Sequence, residues 1–387
     1  MAKREKVAEI QEGMSFADLV ISDVNAKFKG GIPPASYLHD PEAATHVRDW
    51  ISTGCDMLDL GISNRPHGGL PVGKIIELIG LEGSGKSLLA ASALASTQRK
   101  GGVAVLIDTE SAATEQFFEV LGLDTKKLVY LQLEALEDVY AAVERIIETV
   151  RKSGKDVPIT IVIDSIMGAS TKAELEATYD RQGYATGKAL INSIAMRKIT
   201  NLIAKERICL IGTNQLRANV SAFGAQDPYT TSGGKAWAFH ASVRIRLKLI
   251  GQITGKSENG IDSVIGRKVR AQIIKNRLGP PLRSIDFHIM FNSGIDNYGS
   301  WLTMLEALDA IKPEGRSFIY SYVDEDTGEE KSVKFQPKKF KELVDNDPQL
   351  KEHIYNAICS SYILDYKNPN LNMEMTETTF DDGDEIE

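Results

Sequence analysis

Strongly apolar runs recur along the middle of this chain at intervals that suit alternating strands and helices. Ile75-Ile76-Glu77-Leu78-Ile79, Val103–Asp108, Ile159–Asp164 and Ile208–Thr213 are short, rich in β-branched residues and apolar almost throughout. Such runs read as strands buried on both faces. Between them, Glu137–Lys152 and the stretch from about 188 to 205 read as helices. Strand and helix signals alternating from Ile51 onward predict an α/β fold with a mainly parallel central sheet.

After residue 243 the pattern changes. Val243, Ile245, Leu247 and Leu249 alternate with Arg244, Arg246 and Lys248, which predicts a strand with one face exposed. Strands separated by short polar turns continue to about Met290. Beyond Gly299, Phe318–Tyr322 and Lys331–Phe335 flank Asp324-Glu325-Asp326-Thr327-Gly328, a hairpin signal. Helical stretches come next at 338–344 and 349–360, giving a small α+β module. At the other end, Phe16, Leu19, Val20 and Ile21 fit a short helix, succeeded by Gly30-Gly31 and Pro33-Pro34. The predicted organisation is an N-terminal arm (1–50), a core (51–300), a C-terminal module (301–372) and an acidic tail (373–387).

Composition adds bounds. With 387 residues, 42% hydrophobic and 25% charged, the chain reads as an ordinary soluble globular protein with one large core. No run of about 18 apolar residues predicts a membrane span, and the charged stretch Met1–Lys6, with no apolar run after it, predicts no secretory signal. Cys55, Cys209 and Cys359 lack metal-ligand spacing and are expected as reduced thiols in a cytosol-like compartment. The net charge of −8 is concentrated: after Lys367 come seven carboxylates and no Lys or Arg, so the rest of the chain stands near −1. A near-neutral body can carry local basic surfaces. By composition the tail is expected to be a disordered, solubilising segment; its charge also suits a gate that competes with an anionic partner for a basic surface.

The candidate chemistry sits where strands end. Gly80-Leu81-Glu82-Gly83-Ser84-Gly85-Lys86-Ser87 comes after the first apolar run and precedes the helix former Leu88-Leu89-Ala90. This is G-x-x-x-x-G-K-[ST] in its strand–loop–helix context. The glycines let several backbone N–H groups face one phosphate chain, and the helix behind the loop adds its positive dipole end. Lys86 suits the β/γ-phosphates and the Ser87 hydroxyl suits Mg²⁺, so a nucleoside triphosphate is the implied ligand. Asp164, ending another apolar run, is placed to hold the metal. Glu110 lies just past the strand that ends in Asp108 and suits a general base toward water; Asp108 competes for that role. Gln215, beyond the next strand, can hydrogen-bond a γ-phosphate and report its presence.

Past Gln215 lies a glycine- and polar-rich segment, 219–234, with little regular pattern. Its Phe223 and Tyr229 suit stacking on bases, and flanking Arg217 and Lys235 suit phosphates. Lys275 and Arg277 end an apolar strand and, two apart, point to one side of it.

Taken together these residues resemble the RecA family of homologous-recombination proteins. The resemblance runs from Ile51-Ser52-Thr53-Gly54 through Gly69-Leu70-Pro71-Val72-Gly73-Lys74, the phosphate loop, Ile107-Asp108-Thr109-Glu110 and Ile163-Asp164-Ser165. It continues through Ala195-Met196-Arg197-Lys198, Asn214-Gln215-Leu216-Arg217, Thr230–Gly234, Ala241–Arg244 and Ile274–Arg277 to Gly294–Gly299. The C-terminal module resembles that of the bacteriophage recombinase UvsX. The resemblance implies a RecA-like P-loop ATPase core, ATP and Mg²⁺, and a helical filament of identical subunits on single-stranded DNA that pairs with a homologous duplex. It further implies Glu110 as catalytic base, Gln215 as γ-phosphate sensor and Phe117 as the ring stacked on adenine. Lys275 and Arg277 become cations reaching the neighbouring subunit's ATP. Arg197, Arg217, Val220, Phe223, Gly233 and Gly234 become DNA contacts, with a first DNA loop around Gly183. A single-strand-binding protein and a mediator are the implied partners, in a bacterial cytosol and possibly phage-encoded. Phe117 stands where Tyr is common, Arg277 replaces a usual Lys, and Ser87 and Ser232 stand where Thr is usual. Two further readings stay open: a hexameric helicase or ring motor on the same core, and a non-catalytic ATP- and DNA-binding mediator.

Overall fold

The computed structural model describes residues 15–28, 35–40, 43, 46–154, 156–177, 185–218, 229–231, 233–256, 262–323 and 328–365. Val220, Phe223, the predicted first DNA loop around Gly183 and the acidic tail lie outside them. The chain divides into two units, 1–48 and 49–387.

In the first unit, α1 (Phe16–Lys27) begins at Ser15, whose hydroxyl accepts from Asp18 N while the Asp18 carboxylate accepts from Ser15 N. That reciprocal cap satisfies two donors the first turn cannot pair internally. Tyr37 Oη donates to Asp18 Oδ1 at 2.9 Å, and the Asn25 amide bonds both the N–H and the carbonyl of Ala35.

The second unit opens with a ribbon of β1 (Trp50–Ile51) and β2 (Leu70–Pro71), joined through α2 (Asp56–Ser63). Asp59 of α2 is buried and knits this region together. It accepts from Thr53 N and Oγ1, each at 2.8 Å, and from Ser52 Oγ at 2.5 Å.

Strands and helices then alternate: β3 (Lys74–Gly80), α3 (Lys86–Arg99), β4 (Val103–Asp108), α4 (Glu115–Val120), β5 (Val129–Gln132), α5 (Leu136–Lys152) and β6 (Ile159–Asp164). Next come α6 (Lys172–Leu175), α7 (Ala185–Lys205), β7 (Ile208–Ala218), β8 (Tyr229–Thr231) and α8 (Ala236–His240). The long hairpin β9 (Val243–Lys256) and β10 (Asp262–Asn276) leads to β11 (Ser284–Met290) and β12 (Gly294–Asp296). Among the described residues, ten of these strands form one sheet in the order β12-β11-β10-β9-β3-β7-β6-β4-β5, with β8 paired to β7. From β9 to β5 every neighbour is parallel; beyond β9 the pairing is antiparallel.

Successive residues of the central strands feed opposite faces, as a two-residue period requires. Val162 and Ile211 join an apolar cluster with Leu89 and Leu94 of α3, while Ile161, Ile163 and Leu210 join one with Val143 of α5 and Ile203 of α7. In α5 the buried positions Leu136, Val139, Tyr140, Val143 and Ile147 keep helical spacing, so one stripe faces the sheet. Each such aliphatic side chain contributes about 1.5–3 kcal/mol on burial.

The C-terminal segment adds α9 (Asn297–Ala307), an antiparallel sheet of β13 (Ile311–Glu314), β14 (Ser317–Val323) and β15 (Glu330–Phe335), then α10 (Phe340–Asn346) and α11 (Pro348–Tyr362). Its core residues Tyr320, Phe335, Phe340 and Ile354 belong to the same apolar cluster as α3. The fold is therefore the α/β fold with a mainly parallel sheet and an α+β C-terminal module. One boundary differs from the sequence reading. The strand expected over 208–213 runs on to Ala218, because Asn214 and Gln215 still pair with β3 and Leu216–Ala218 then pair with Tyr229–Thr231.

Candidate nucleotide site and its connections

The parallel order brings the carboxyl ends of β3, β7, β6 and β4 to one edge. There Gly80 lies in register with Gln215, and Asp108 with Asp164. The phosphate-loop motif forms the turn between β3 and α3. Gly83 and Gly85 take φ of +69° and +96°, a left-handed backbone that a side chain would strain. Lys86 Nζ donates to the carbonyls of Gly80 at 3.0 Å and Leu81 at 2.8 Å. Burial lowers its pKa, and the charges of Asp164, Glu110 and Glu82 oppose that shift.

Asp164 accepts from Thr213 Oγ1 at 2.5 Å and is hydrogen-bonded to Ser87. Burial raises its pKa, those bonds pull it down, and Glu110 and Asp108 push it up again. A partly desolvated carboxylate against a hydroxyl is a hard-oxygen pair that suits Mg²⁺, which needs only one or two protein ligands beside phosphates. The residues present therefore fit the implied metal.

Asp108 and Glu110 differ in their surroundings. Asp108 is 3% exposed, and its oxygens accept from the backbone N–H groups of Glu110, Ser111 and Ala113 and from Tyr130 Oη. It is consumed in shaping the loop. Glu110 is exposed, and its Oε1 accepts from Ser165 Oγ. A cavity of about 80 Å³ is lined by Ser87, Asp108, Glu110, Phe117 and Asp164 among others. A larger one of about 270 Å³ lies over the loop, lined by Gly83–Leu88, Phe117, Arg267, Ile289 and Phe291. Phe117 thus borders both cavities. Phe291 was not legible in the sequence, where it comes after a short strand with no motif; its shared lining with Phe117 identifies it as a second aromatic wall.

The other predicted residues lie away from these cavities. Lys275 and Arg277 point to one side of β10 and meet the end of α8. Lys275 Nζ donates to Ala238 O at 2.7 Å and Phe239 O at 2.9 Å, and Arg277 Nη2 to Phe239 O at 3.3 Å. Exposed Arg197 of α7 donates through Nε to Ser193 O at 3.2 Å, and its charge, with those of Arg277 and Lys275, helps burial to lower His240. Exposed Arg217 is on β7, in register with Thr230.

Gly233 and Gly234 take φ of +83° and +86° at the root of the predicted second DNA loop. A Cβ on Gly233 would come within 2.7 Å of Met167 Sδ, and one on Gly234 within 2.8 Å of Ala189 Cβ. A buried relay that sequence reasoning missed ties this root down: Asn192 Nδ2 donates to Gly233 O at 3.0 Å, Tyr140 Oη to Asn192 Oδ1 at 2.5 Å, and Trp237 Nε1 to Tyr140 Oη at 3.0 Å. A second missed network crosses the sheet. Fully buried Glu77 of β3 accepts from Asn214 Nδ2 at 3.0 Å and from Arg244 Nε at 2.6 Å, and Arg244 lies in register with Lys275.

A parallel sheet with a phosphate loop on its first core strand and an acid ending a neighbouring strand defines a P-loop nucleotide-binding protein. The model of the RecA N-terminal domain matches residues 20–296. The chain is similar to the RecA protein of Bifidobacterium longum, 34% identical over 348 residues, 90% of this chain and 80% of the relative. It is 31% identical over 375 residues to that of Ehrlichia chaffeensis, 96% of this chain and 98% of the relative. It is 36% identical over 308 residues to that of Helicobacter hepaticus, 79% of this chain and 84% of the relative. The chain belongs to the RecA family, and with that membership goes an ATP-dependent recombinase role in DNA recombination and repair. Among the described residues no helix is long and apolar enough to cross a membrane.

Proposed function

We propose that this chain is a DNA-dependent ATPase of the cytoplasm that polymerises on single-stranded DNA as a helical filament and pairs it with a homologous duplex. The observation that supports the ATPase most is the meeting of Lys86, Ser87, Glu110 and Asp164 at one edge of the sheet. In this reading the loop's N–H groups and the α3 dipole hold the phosphate chain of ATP. Ser87 and Asp164 hold Mg²⁺, which when bound neutralises phosphate charge. Glu110 takes a proton from the water that attacks the γ-phosphorus; the bond to the bridging oxygen breaks, leaving ADP and phosphate. Gln215, beside Gly80, senses the γ-phosphate, and β7 carries that state toward Arg217 and the loop rooted at Gly233 and Gly234.

Lys275 and Arg277 serve the neighbouring subunit's nucleotide, stabilising charge in its transition state. Arg197, Arg217, Val220, Phe223, Gly233 and Gly234 form the DNA-facing set. They grip backbone and base faces without a sequence code, so base pairing itself tests homology. A single-strand-binding protein and a loading mediator are the expected partners.

The test is joint-molecule formation between a labelled single strand and homologous supercoiled duplex, with and without ATP. Pairing that depends on both ATP and homology is the expected result. Robust DNA-stimulated hydrolysis without pairing, even with a single-strand-binding protein and mediator added, would point to a ring motor instead. Glu110→Gln should retain DNA binding with hydrolysis reduced at least about a hundredfold, in the range of a lost general base. Normal turnover by that variant would remove Glu110 from the mechanism.

A further inference from the structure

Arg267 sits in the middle of β10, in register with Gln252 of β9 and Ile289 of β11. It is far from any motif, yet its side chain reaches the phosphate loop. Nη1 donates to the Gly83 carbonyl at 2.6 Å, and the guanidinium carbon lies 5.9 Å from the centre of the Phe291 ring. A Cβ on Gly83 would come within 2.6 Å of that same Nη1, so glycine at this position makes room for the arginine as well as for its own φ of +69°.

Arg267 and Phe291 both line the 270 Å³ cavity, together with Gly83–Leu88 and Phe117. A guanidinium has five N–H donors in a planar fork. One meets a neutral carbonyl here, and among the described residues no carboxylate pairs with the group. Phe117 and Phe291 supply two aromatic walls suited to a base. Gly83 belongs to the loop that wraps phosphates, so a cation held at its carbonyl stands at the phosphate end of the cavity.

We propose that Arg267 is a nucleotide-binding residue acting within its own subunit: its guanidinium, braced on Phe291, engages the phosphate chain of a nucleoside di- or triphosphate. The inference rests on the reading that this cavity holds ATP. Arginine suits the task because its charge is permanent and its fork pairs two phosphate oxygens at once. Strand β10 then serves two nucleotides. Arg267 faces the subunit's own, and Lys275, eight residues on and about 26 Å along an extended strand, serves the neighbour's.

Titration with a methylanthraniloyl-labelled ADP, and competition against it by unlabelled ADP and AMP, tests the inference in wild type, Arg267→Met and Arg267→Lys. Arg267→Met should weaken ADP binding about tenfold and AMP binding less than about threefold, since the longer phosphate chain offers the fork a doubly bonded partner. Arg267→Lys should recover part of the loss, because it restores charge without the fork. ADP affinity within twofold of wild type in Arg267→Met would overturn the inference, as would equal losses for ADP and AMP, which mark a mere loop brace. Wild type that binds no labelled ADP would remove the nucleotide reading of the cavity itself, a different failure from a wild type that binds and a variant that binds equally.

Discussion

Tyr140→Phe should destabilise the core far more than Tyr130→Phe, although each change deletes one hydroxyl. The Tyr140 oxygen donates to Asn192 Oδ1 at 2.5 Å and accepts from Trp237 Nε1 at 3.0 Å. Asn192 is 0% exposed and Trp237 2%. Phenylalanine keeps the ring, leaves a donor and an acceptor unpaired, and admits no water to either. At about 1–3 kcal/mol for each of the two buried groups left unsatisfied, the loss comes to roughly 2–6 kcal/mol. Tyr130 Oη donates to Asp108 at 3.1 Å, but its ring is 46% exposed, so water takes over and the loss should stay under about 1 kcal/mol. Urea unfolding followed by circular dichroism measures both, provided the slopes agree across variants. Trp237→Phe on each background adds the coupling between the two rings. A loss below about 1 kcal/mol for Tyr140→Phe, or equal losses for both tyrosines, would refute the claim that the relay is sealed from water. Because Asn192 also holds Gly233, single-strand binding should weaken in the same variant.

Two further predictions concern pH. Burial pushes the Asp59 carboxyl up to about 7, against the hydrogen bonds from Ser52 and Thr53. The folded state therefore keeps a proton that the unfolded chain loses near pH 4, so this contribution is full below that pH and is lost as the pH rises through 7. Asp59→Asn should flatten the slope, with wild type losing on the order of 1–4 kcal/mol relative to the variant between about pH 4 and 8; a pH-independent difference in unfolding free energy would count against it. Burial lowers Lys275 to about 8, helped by Arg277 and Arg244 and opposed by Glu77. Its charge is full below that value and lost above it, so DNA-stimulated hydrolysis should fall as the pH rises through 8. Lys275→Arg, which stays charged, should move that limb up by at least about one pH unit; a limb unmoved would mean that another group sets it.

The motifs were legible because they are local. The phosphate loop, the acids ending β4 and β6, and the stripe of α5 each declare themselves within a few residues. The hidden features depend on partners far along the chain. Phe291 and Arg267 gain meaning only when β10 and β11 bring them over Gly83, 184 residues away from Arg267. Glu77, a lone acid in an apolar strand, finds its partners Asn214 and Arg244 only 137 and 167 residues further along the chain. The end of β7 was missed because its last three residues gain a strand partner only from β8, more than ten residues further along the chain. Asp108 and Glu110 are inseparable by residue type; the bonds that bury Asp108 in its loop form only in the fold.

Glu77 also bears on how the sheet assembles. Its two partners lie 137 and 167 residues along the chain, and β7, β3 and β9 run parallel, so no tight turn aligns them. Apolar strands buried on both faces tolerate a one-residue slip poorly but do not forbid it, since isoleucine and leucine fit either side. A slip here would turn Glu77 and Arg244 to opposite faces and strand each charge among hydrocarbon, costing about 3–5 kcal/mol. The trio therefore penalises a mispaired sheet and favours the one register that sets Gly80, at the head of the phosphate loop, beside Gln215.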